Sequence, residues 1–368
     1  MDIDKFFAEQ SGALLERAAA EPHLDGAVDL RRAKQINVTR DAYLEADASG
    51  ITLSELLETP DYDPSPFDSP LDAFERQLAA RGIKVGGPHP LTVELFYRGA
   101  PALLPEFMMR EIRHGQSMRP ELNGLVGSSA RINSNRYTPF DIKAQATDTR
   151  WSLRPIGDGA DISAVVVTER VNSLDVKDYG LALKASYKAL RHRTATQFKV
   201  LLWYIGYRMQ VDKLGLLVDV LINGDGNSNA ATVINTAVSG TLAYADLVAF
   251  WAEIYPFEMN TMVCAKNNIK TILTMSEFKD PMAGFRFQAT GELVSPLGSS
   301  LVRSDDVATD RIIGMDKRFA AEEVTTQPLT VEYDKIIEQK FEEAVISESV
   351  AYAKLIPDSV KVLDSVWP

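Results

Sequence analysis

Acid–base, nucleophilic or metal chemistry in this chain would have to come from its histidines, its cysteine or a grouped set of carboxylates. The four histidines, His23, His89, His114 and His192, are far apart in sequence, so a histidine-based site would need tertiary coincidence. A single cysteine, Cys264, excludes an intrachain disulfide and offers no zinc spacing, so a buried free thiol is expected. Asp225-Gly226-Asn227-Ser228-Asn229 begins like a calcium loop. However, Ala230 stands where the sharp turn needs glycine and Thr236 replaces the bidentate acid, so a plain turn is expected. Asn37-Val38-Thr39 has the form of a glycosylation acceptor, but nothing in the sequence routes the chain to secretion. There is no phosphate-binding P-loop, dinucleotide glycine fingerprint or nucleophile-elbow serine, and no spacing singles out a carboxylate pair. The chain reads as a non-enzyme with no cofactor and no metal. A soluble enzyme with an unrecognised site is kept as the last alternative.

The elements around these residues carry more information. With 368 residues, 45% hydrophobic and 24% charged, the chain can bury a core and form one or two compact domains with extensions. No run of about 18 apolar residues suggests a membrane span, and the start MDIDKFFAEQ lacks the pattern of a signal peptide, so synthesis in a cytoplasm is expected. Charge is uneven: residues 1–80 hold 17 acidic and 7 basic residues, a net of −10, which leaves −2 of the total −12 for residues 81–368. An acidic front on a nearly neutral body has no electrostatic footprint for tight nucleic-acid binding.

Short amphipathic helices are expected in residues 1–60, at Phe6–Ala20 and at Thr52–Glu58, where Thr52 and Glu55 have capping-box spacing. Pro60, Pro64, Pro66 and Pro70 then mark an extended linker. A helix over Leu71–Arg81 stops at Gly82, a strand or arm is expected at Leu91–Tyr97, and Gly99–Phe140 shows little sign of a core and reads as an arm lying on other chains or an ordinary surface loop region. Ile142–Leu153 and Ile162–Val176 flank a loose tip and read as a long β-hairpin, each arm reaching about 40 Å at about 3.3 Å per residue. Arg150, Arg154, Asp158 and Asp161 near its end leave too little apolar surface for it to pack on its own domain. A projecting two-stranded ribbon needs a partner to lie on.

The longest helix is expected at Thr194–Ile222, about 43 Å at about 1.5 Å per residue, ending at Asn223-Gly224-Asp225-Gly226. It is apolar on two sides. Phe198, Leu201, Leu202, Ile205, Met209, Leu216 and Val220 occupy one face, and Trp203, Tyr207, Val211, Leu214, Val218 and Leu221 the other, so a second layer must come from this chain or a neighbour. Helix, strand and helix follow at Tyr244–Tyr255, Thr261–Ala265 and Asn268–Met275. Short strands are expected in Gly284–Val307, at Arg311–Ile313, Arg318–Val324 and Leu329–Tyr333, and then a mixed helix or strand stretch ends near Ile356-Pro357. The class is α+β.

In this order of parts the chain resembles the tailed-bacteriophage major capsid proteins of the Hong Kong 97-type capsid fold over roughly Leu91–Leu363. The markers are Leu103-Leu104-Pro105-Glu106-Phe107, Tyr179-Gly180 with Ser186 and Leu190, the exit at Gly224-Asp225-Gly226, and Val302–Asp316. The resemblance implies a division into six parts. Residues 1–70 are an acidic helical extension with a proline-rich linker, 71–140 an N-terminal arm, and 141–177 an extended loop lying on an adjacent subunit. Residues 178–226 are the first part of a peripheral domain with the spine helix, 227–308 an axial domain, and 309–368 the rest of the peripheral domain. It also implies self-assembly into hexamers and pentamers of an icosahedral head in a host bacterial cytoplasm, and location in the virion capsid. Expected partners are other copies of the chain, a portal protein, and a scaffold, maturation protease or decoration protein. Packaged double-stranded DNA would be met by non-specific proximity, and no membrane is involved. Residues 1–80 resemble the internal scaffolding extension of some members, whereas the hairpin tip lacks the lysine needed for covalent crosslinking. Residues expected at contacts between copies are Arg150, Arg154, Asp158 and Asp161 in the loop, Trp203, Tyr207 and Leu214 on the helix, and Arg110 and Arg113 in the arm. An encapsulin-like nanocompartment shell is the alternative within the same fold.

Overall fold

The computed structural model describes residues 35–62, 71–86, 90–141, 155, 158, 168–186, 188–189, 193–278, 296–336 and 341–368. The helix expected at Phe6–Ala20 lies outside them, as do the first hairpin arm at 142–153, residues 162–167 of the second and the strands expected before Pro296. The chain divides into two compact units. The first takes residues up to Met118, Gly180–Arg208 and Leu329–Ser347, and the second Arg119–Tyr179, Met209–Pro328 and Glu348–Pro368.

The helices of the first unit are α1 (Arg40–Ala48), α2 (Leu53–Leu57), α3 (Ala73–Ala80), α4 (Val93–Gly99) and α5 (Leu104–Ser117), and side-chain caps start α2, α3 and α4. Thr52 and Glu55 close the expected capping box on α2, and Asp72 and Glu75 close another on α3; each such cap is worth about 1 kcal/mol. The strand or arm expected at Leu91–Tyr97 is instead helical. The Thr92 hydroxyl accepts the Leu95 N–H, and Val93 and Phe96, three residues apart, turn inward. Gly99–Phe140 also departs from expectation, because α5 carries a buried stripe of Leu104, Phe107, Met108 and Ile112. Pro105 suggests a break in the sequence, but it sits in the first turn, where a missing N–H costs nothing.

Residues 35–62 belong to this packing. The Tyr43 hydroxyl donates to the Ala102 carbonyl at 2.5 Å, the Ser54 hydroxyl to Glu106 at 2.5 Å, and the Gln35 side chain to the Ala80 carbonyl at 2.8 Å. Helix α5 meets the long helix α6 (Ala195–Asn223) backbone to backbone. A Cβ at Gly206 would overlap the Ile112 carbonyl and stand 2.9 Å from the Gln116 nitrogen, and one at Gly115 would overlap the backbone of Trp203.

In the second unit, strands β1 (Ser128–Arg131), β2 (Arg136–Tyr137), β3 (Phe140–Asp141), β4 (Thr168–Glu169) and β5 (Leu174–Asp175) come first, followed by β6 (Lys177–Ser186), which crosses into the first. Beyond α6 come β7 (Thr232–Asn235), α7 (Tyr244–Glu253), β8 (Thr261–Cys264), α8 (Lys266–Thr274), β9 (Ser300–Arg303), β10 (Arg311–Met315) and β11 (Ala321–Thr325). The chain ends with β12 (Thr330–Ile336), β13 (Phe341–Lys354) and β14 (Val360–Asp364). The stretch that the sequence left open between helix and strand is thus the 14-residue strand β13.

One mixed sheet runs β7-β14-β10-β8-β9. Its period-2 alternation sends Val263, Ile313, Met315, Val360 and Val362 against Leu214, Leu217, Val218 and Leu221 of α6. Met262, Cys264, Ile312 and Leu363 pack against Leu247 and Phe250 of α7 and Ile269 and Ile272 of α8 on the opposite face. Gly314 makes this fit possible, since a Cβ there would stand 2.6 Å from the Phe250 ring. Elsewhere in the unit β11 pairs antiparallel with Val350–Lys354 and parallel with β1. Two short antiparallel ladders, β2 with β5 and β3 with β4 (Asp141 opposite Thr168), make up a short ribbon root and bracket residues 142–167 in sequence. In the first unit β12 pairs with residues 341–347 of β13.

Candidate functional site

The surfaces of each unit bear on function more than any reactive cluster does. In the first unit, Ala195, Phe198, Leu202 and Ile205 turn one face of α6 inward, while Val200, Leu201 and Tyr204 stand exposed on another, Tyr204 at 64%. Beyond Arg208 the chain's own second unit covers α6 more fully: Leu214, Leu217, Val218 and Leu221 are buried, and Leu216 and Val220 pack half-buried against the same core. The second layer demanded by the sequence therefore comes from the chain itself at this end of the helix. In the second unit, α7 leaves Val248 and Trp251 exposed, with Tyr255 just beyond at 76%. Phe140 and Val171 are exposed at the ribbon root. Apolar faces of this kind are where soluble proteins meet partners. The α7 face was absent from the sequence expectations, although Tyr244–Tyr255 carries only Asp246 and Glu253 as charges, a signal of a helix apolar all round.

The residues expected at contacts between copies have varied fates. Tyr207 is exposed and so is Asp158. Arg150, Arg154 and Asp161 lie outside the described residues. Trp203 is half-buried: its indole N–H donates to Glu111 at 2.6 Å, and its ring packs 5.1 Å from that of His114. Leu214 is corrected, because at 1% exposure it is part of the second unit's core and presents nothing to a neighbour. Arg110 and Arg113 are half-buried and engaged within the first unit. Arg110 pairs with Asp72 and lies over the Phe74 ring at 4.9 Å, while the charge of Arg113 acts on Glu55 and Glu106. Neither projects as an arm residue would.

Buried polar clusters hold the interior of both units. In the first unit, burial pushes the Glu106 carboxyl above its ordinary range, and its Oε2 has no partner. Burial likewise raises the Tyr43 phenol. In the second unit, Lys213 pairs with Glu348 and lies 3.8 Å from Glu323, whose carboxyl burial also raises. Arg170, Asp225 and Lys354 form another. Asp225 follows the helix exit as a plain turn residue, and its carboxylate is occupied by Arg170 and by the Lys354 N–H. Burial lowers the Lys354 ammonium to about 8, so the unfolded chain holds that proton more tightly than the fold does. Stability contributed by this group should therefore rise as pH climbs from about 8 towards the ordinary lysine range. Cys264 and Tyr352, both raised by burial, act in the opposite sense at higher pH. The expected result is that melting temperature at pH 8 and pH 9.5 gives a more positive slope for the native chain than for Lys354→Met. Equal slopes would show that Lys354 stays charged in the fold.

These clusters tie elements together by ion pairs and hydrogen bonds. Among the described residues no group of three or more histidine, cysteine, aspartate or glutamate side chains is placed to hold a metal, and no helix is long and apolar enough to cross a membrane. Burial raises the Cys264 thiol to about 12, which suits packing and not reactivity.

The sequence matches no family model and no curated protein. Its structure is similar to that of a virus-like particle from Pyrococcus furiosus, at 12% identity, with 70% of this chain and 98% of that chain covered and a TM-score of 0.50. It is also similar to the capsid of the cyanophage P-SCSP1u, at 15% identity, with 65% and 86% covered and a TM-score of 0.47. A further likeness is to the holo-SrpI encapsulin complex from Synechococcus elongatus PCC 7942, at 12% identity, with 68% and 89% covered and a TM-score of 0.45. The fold rests on the first of these: the chain is α+β with the Hong Kong 97-type capsid fold.

Proposed function

We propose that this chain is a structural shell subunit, the major capsid protein of a tailed bacteriophage, whose copies form the hexamers and pentamers of an icosahedral head around double-stranded DNA. The observation that carries the reading is the overlap with 98% of a virus-like-particle subunit. Fold alone does not dictate function. The exposed apolar faces on α6 and α7 and the exposed ribbon root support it further, because a heterologous shell contact needs different patches on one subunit. Many modest contacts repeated over several neighbours would then hold the particle together.

Under this reading Tyr207 and Asp158 keep their contact roles, as do Arg150, Arg154 and Asp161, and the axial part at residues 227–308 meets its copies at the ring centres. A scaffold-like role falls to residues 1–34, since Gln35–Tyr62 belong to the first unit's fold. A portal protein and a scaffold, maturation protease or decoration protein complete the partner set, and assembly takes place in the host cytoplasm. With a net charge of −12 the chain meets DNA by enclosure and not by specific binding. The test is the content of nuclease-treated particles purified from the native source. Protected double-stranded DNA of uniform length is expected. Particles free of DNA and filled with a stoichiometric second protein would favour an encapsulin-like compartment instead.

A further inference from the structure

On the returning side of the ribbon root, from Thr168 to Asp175, Arg170 is the one residue that is fully buried, at 6% exposure, while its neighbour Val171 is 98% exposed. Apolar burial beside it is limited to Val176, at 9% exposure just beyond β5, and being non-directional it does not by itself fix the orientation of this segment. A planar guanidinium does, because its donors leave in fixed directions. Arg170 donates from Nη1 to Asp225 Oδ2 and from Nη2 to the carbonyls of Lys354 and Leu355, the latter at 2.9 Å. The receiving side is itself held. Asp225 sits between Gly224 and Gly226, both at positive φ, and its carboxylate also accepts the N–H groups of Lys354 and Asn227. Lys354 Nζ, with no exposed surface, donates to the Leu221 carbonyl in the last turn of α6 at 3.1 Å and to the Asn229 carbonyl at 3.0 Å. Beside this cluster the Asn172 N–H donates to Asn227 Oδ1 and its amide to the Gly226 carbonyl, both at 2.9 Å, and the Asn227 amide returns a bond to the Asn172 carbonyl at 3.2 Å.

We infer that Arg170, Asp225 and Lys354, with the Asn172–Asn227 pair, form a pin that fixes the orientation of the β3–β4 ladder within the second unit. On the shell reading, which places residues 142–167 against a second copy of this chain, they are positioning residues for that contact. The inference rests on the shell reading for its partner but not for the pin. One strand of the ladder is fastened to the exit of the long helix and the end of β13 by directional hydrogen bonds. Losing them would let the ladder swing while both sheet cores stay intact.

The experiment compares the native chain with Asn172→Ala and Arg170→Lys. Asn172→Ala removes the one bond made by its side chain, from the amide to the Gly226 carbonyl, at an exposed site, and Arg170→Lys keeps the charge but loses the fork. Amide hydrogen exchange at residues 137–141 and 168–176 should rise about tenfold in Asn172→Ala and at least as much in Arg170→Lys, with β10 and β14 unchanged. Shells assembled from both variants should show a broader spread of diameters by electron microscopy. A purely structural contact would lower yield without changing particle geometry. Unchanged exchange in both variants would overturn the pin, and raised exchange with shells as uniform as the native ones would overturn its positioning role. If the native chain forms no shells, the shell reading falls, and exchange alone still decides whether the pin exists.

Discussion

Gly206→Ala is expected to destabilise the first unit by about 2–3 kcal/mol, although helix propensity alone favours alanine over glycine by about 1 kcal/mol. Geometry decides the sign. The added methyl meets the Ile112 carbonyl and the Gln116 nitrogen on α5, which are backbone atoms and cannot rotate away. The two helices would have to separate, withdrawing Ile112 and Met108 from contacts they now bury completely. Gly86→Ala is the control: a Cβ there meets nothing within 4 Å, so a change within about 0.5 kcal/mol is expected. Chemical denaturation of both variants measures the difference. Equal midpoints would mean that α5 and α6 do not meet backbone to backbone.

Lys213→Met should cost more, about 3–5 kcal/mol at pH 8, because it leaves carboxylates buried without their cation. Lys213 pairs with Glu348, whose second oxygen already has no partner, and it also holds down the Glu323 carboxyl, which burial raises. Without the lysine the Glu323 carboxyl rises further. A carboxyl raised in the fold contributes stability that is lost as pH climbs through its folded value. The variant's deficit should therefore be clearly smaller at pH 5 than at pH 8. Adding Glu348→Gln should recover part of it by removing one of the two stranded charges. A deficit independent of pH would indicate that the cost comes from packing and not from charge.

Features set by local rules were legible in the sequence. The Thr52–Glu55 box depends on residues three apart, and the long helix was placed within one residue at each end, Thr194–Ile222 against Ala195–Asn223. Its doubly apolar character was also legible, but which face is covered where was not. That depends on the strands and loops the helix meets: Leu214 is core while Val200 and Tyr204 are exposed. Helix α5 was missed because Pro105 and its interspersed arginines mask a stripe that only burial reveals. The Arg170–Asp225–Lys354 cluster joins residues 55 and 129 positions apart, a separation no spacing rule spans. Strands β2 and β3 lie just before the β-branched run expected from residue 142, in a stretch whose pattern gave no strand, and only their partners β4 and β5 fall within the expected second run.

The central claim is that copies of this chain cover one another's exposed faces. Mass photometry of the purified full chain across a range of salt and protein concentration, with negative-stain imaging of the same samples, tests it most directly. Closed particles in the megadalton range are the predicted result. A 40.6 kDa species that stays monomeric under every condition would contradict it.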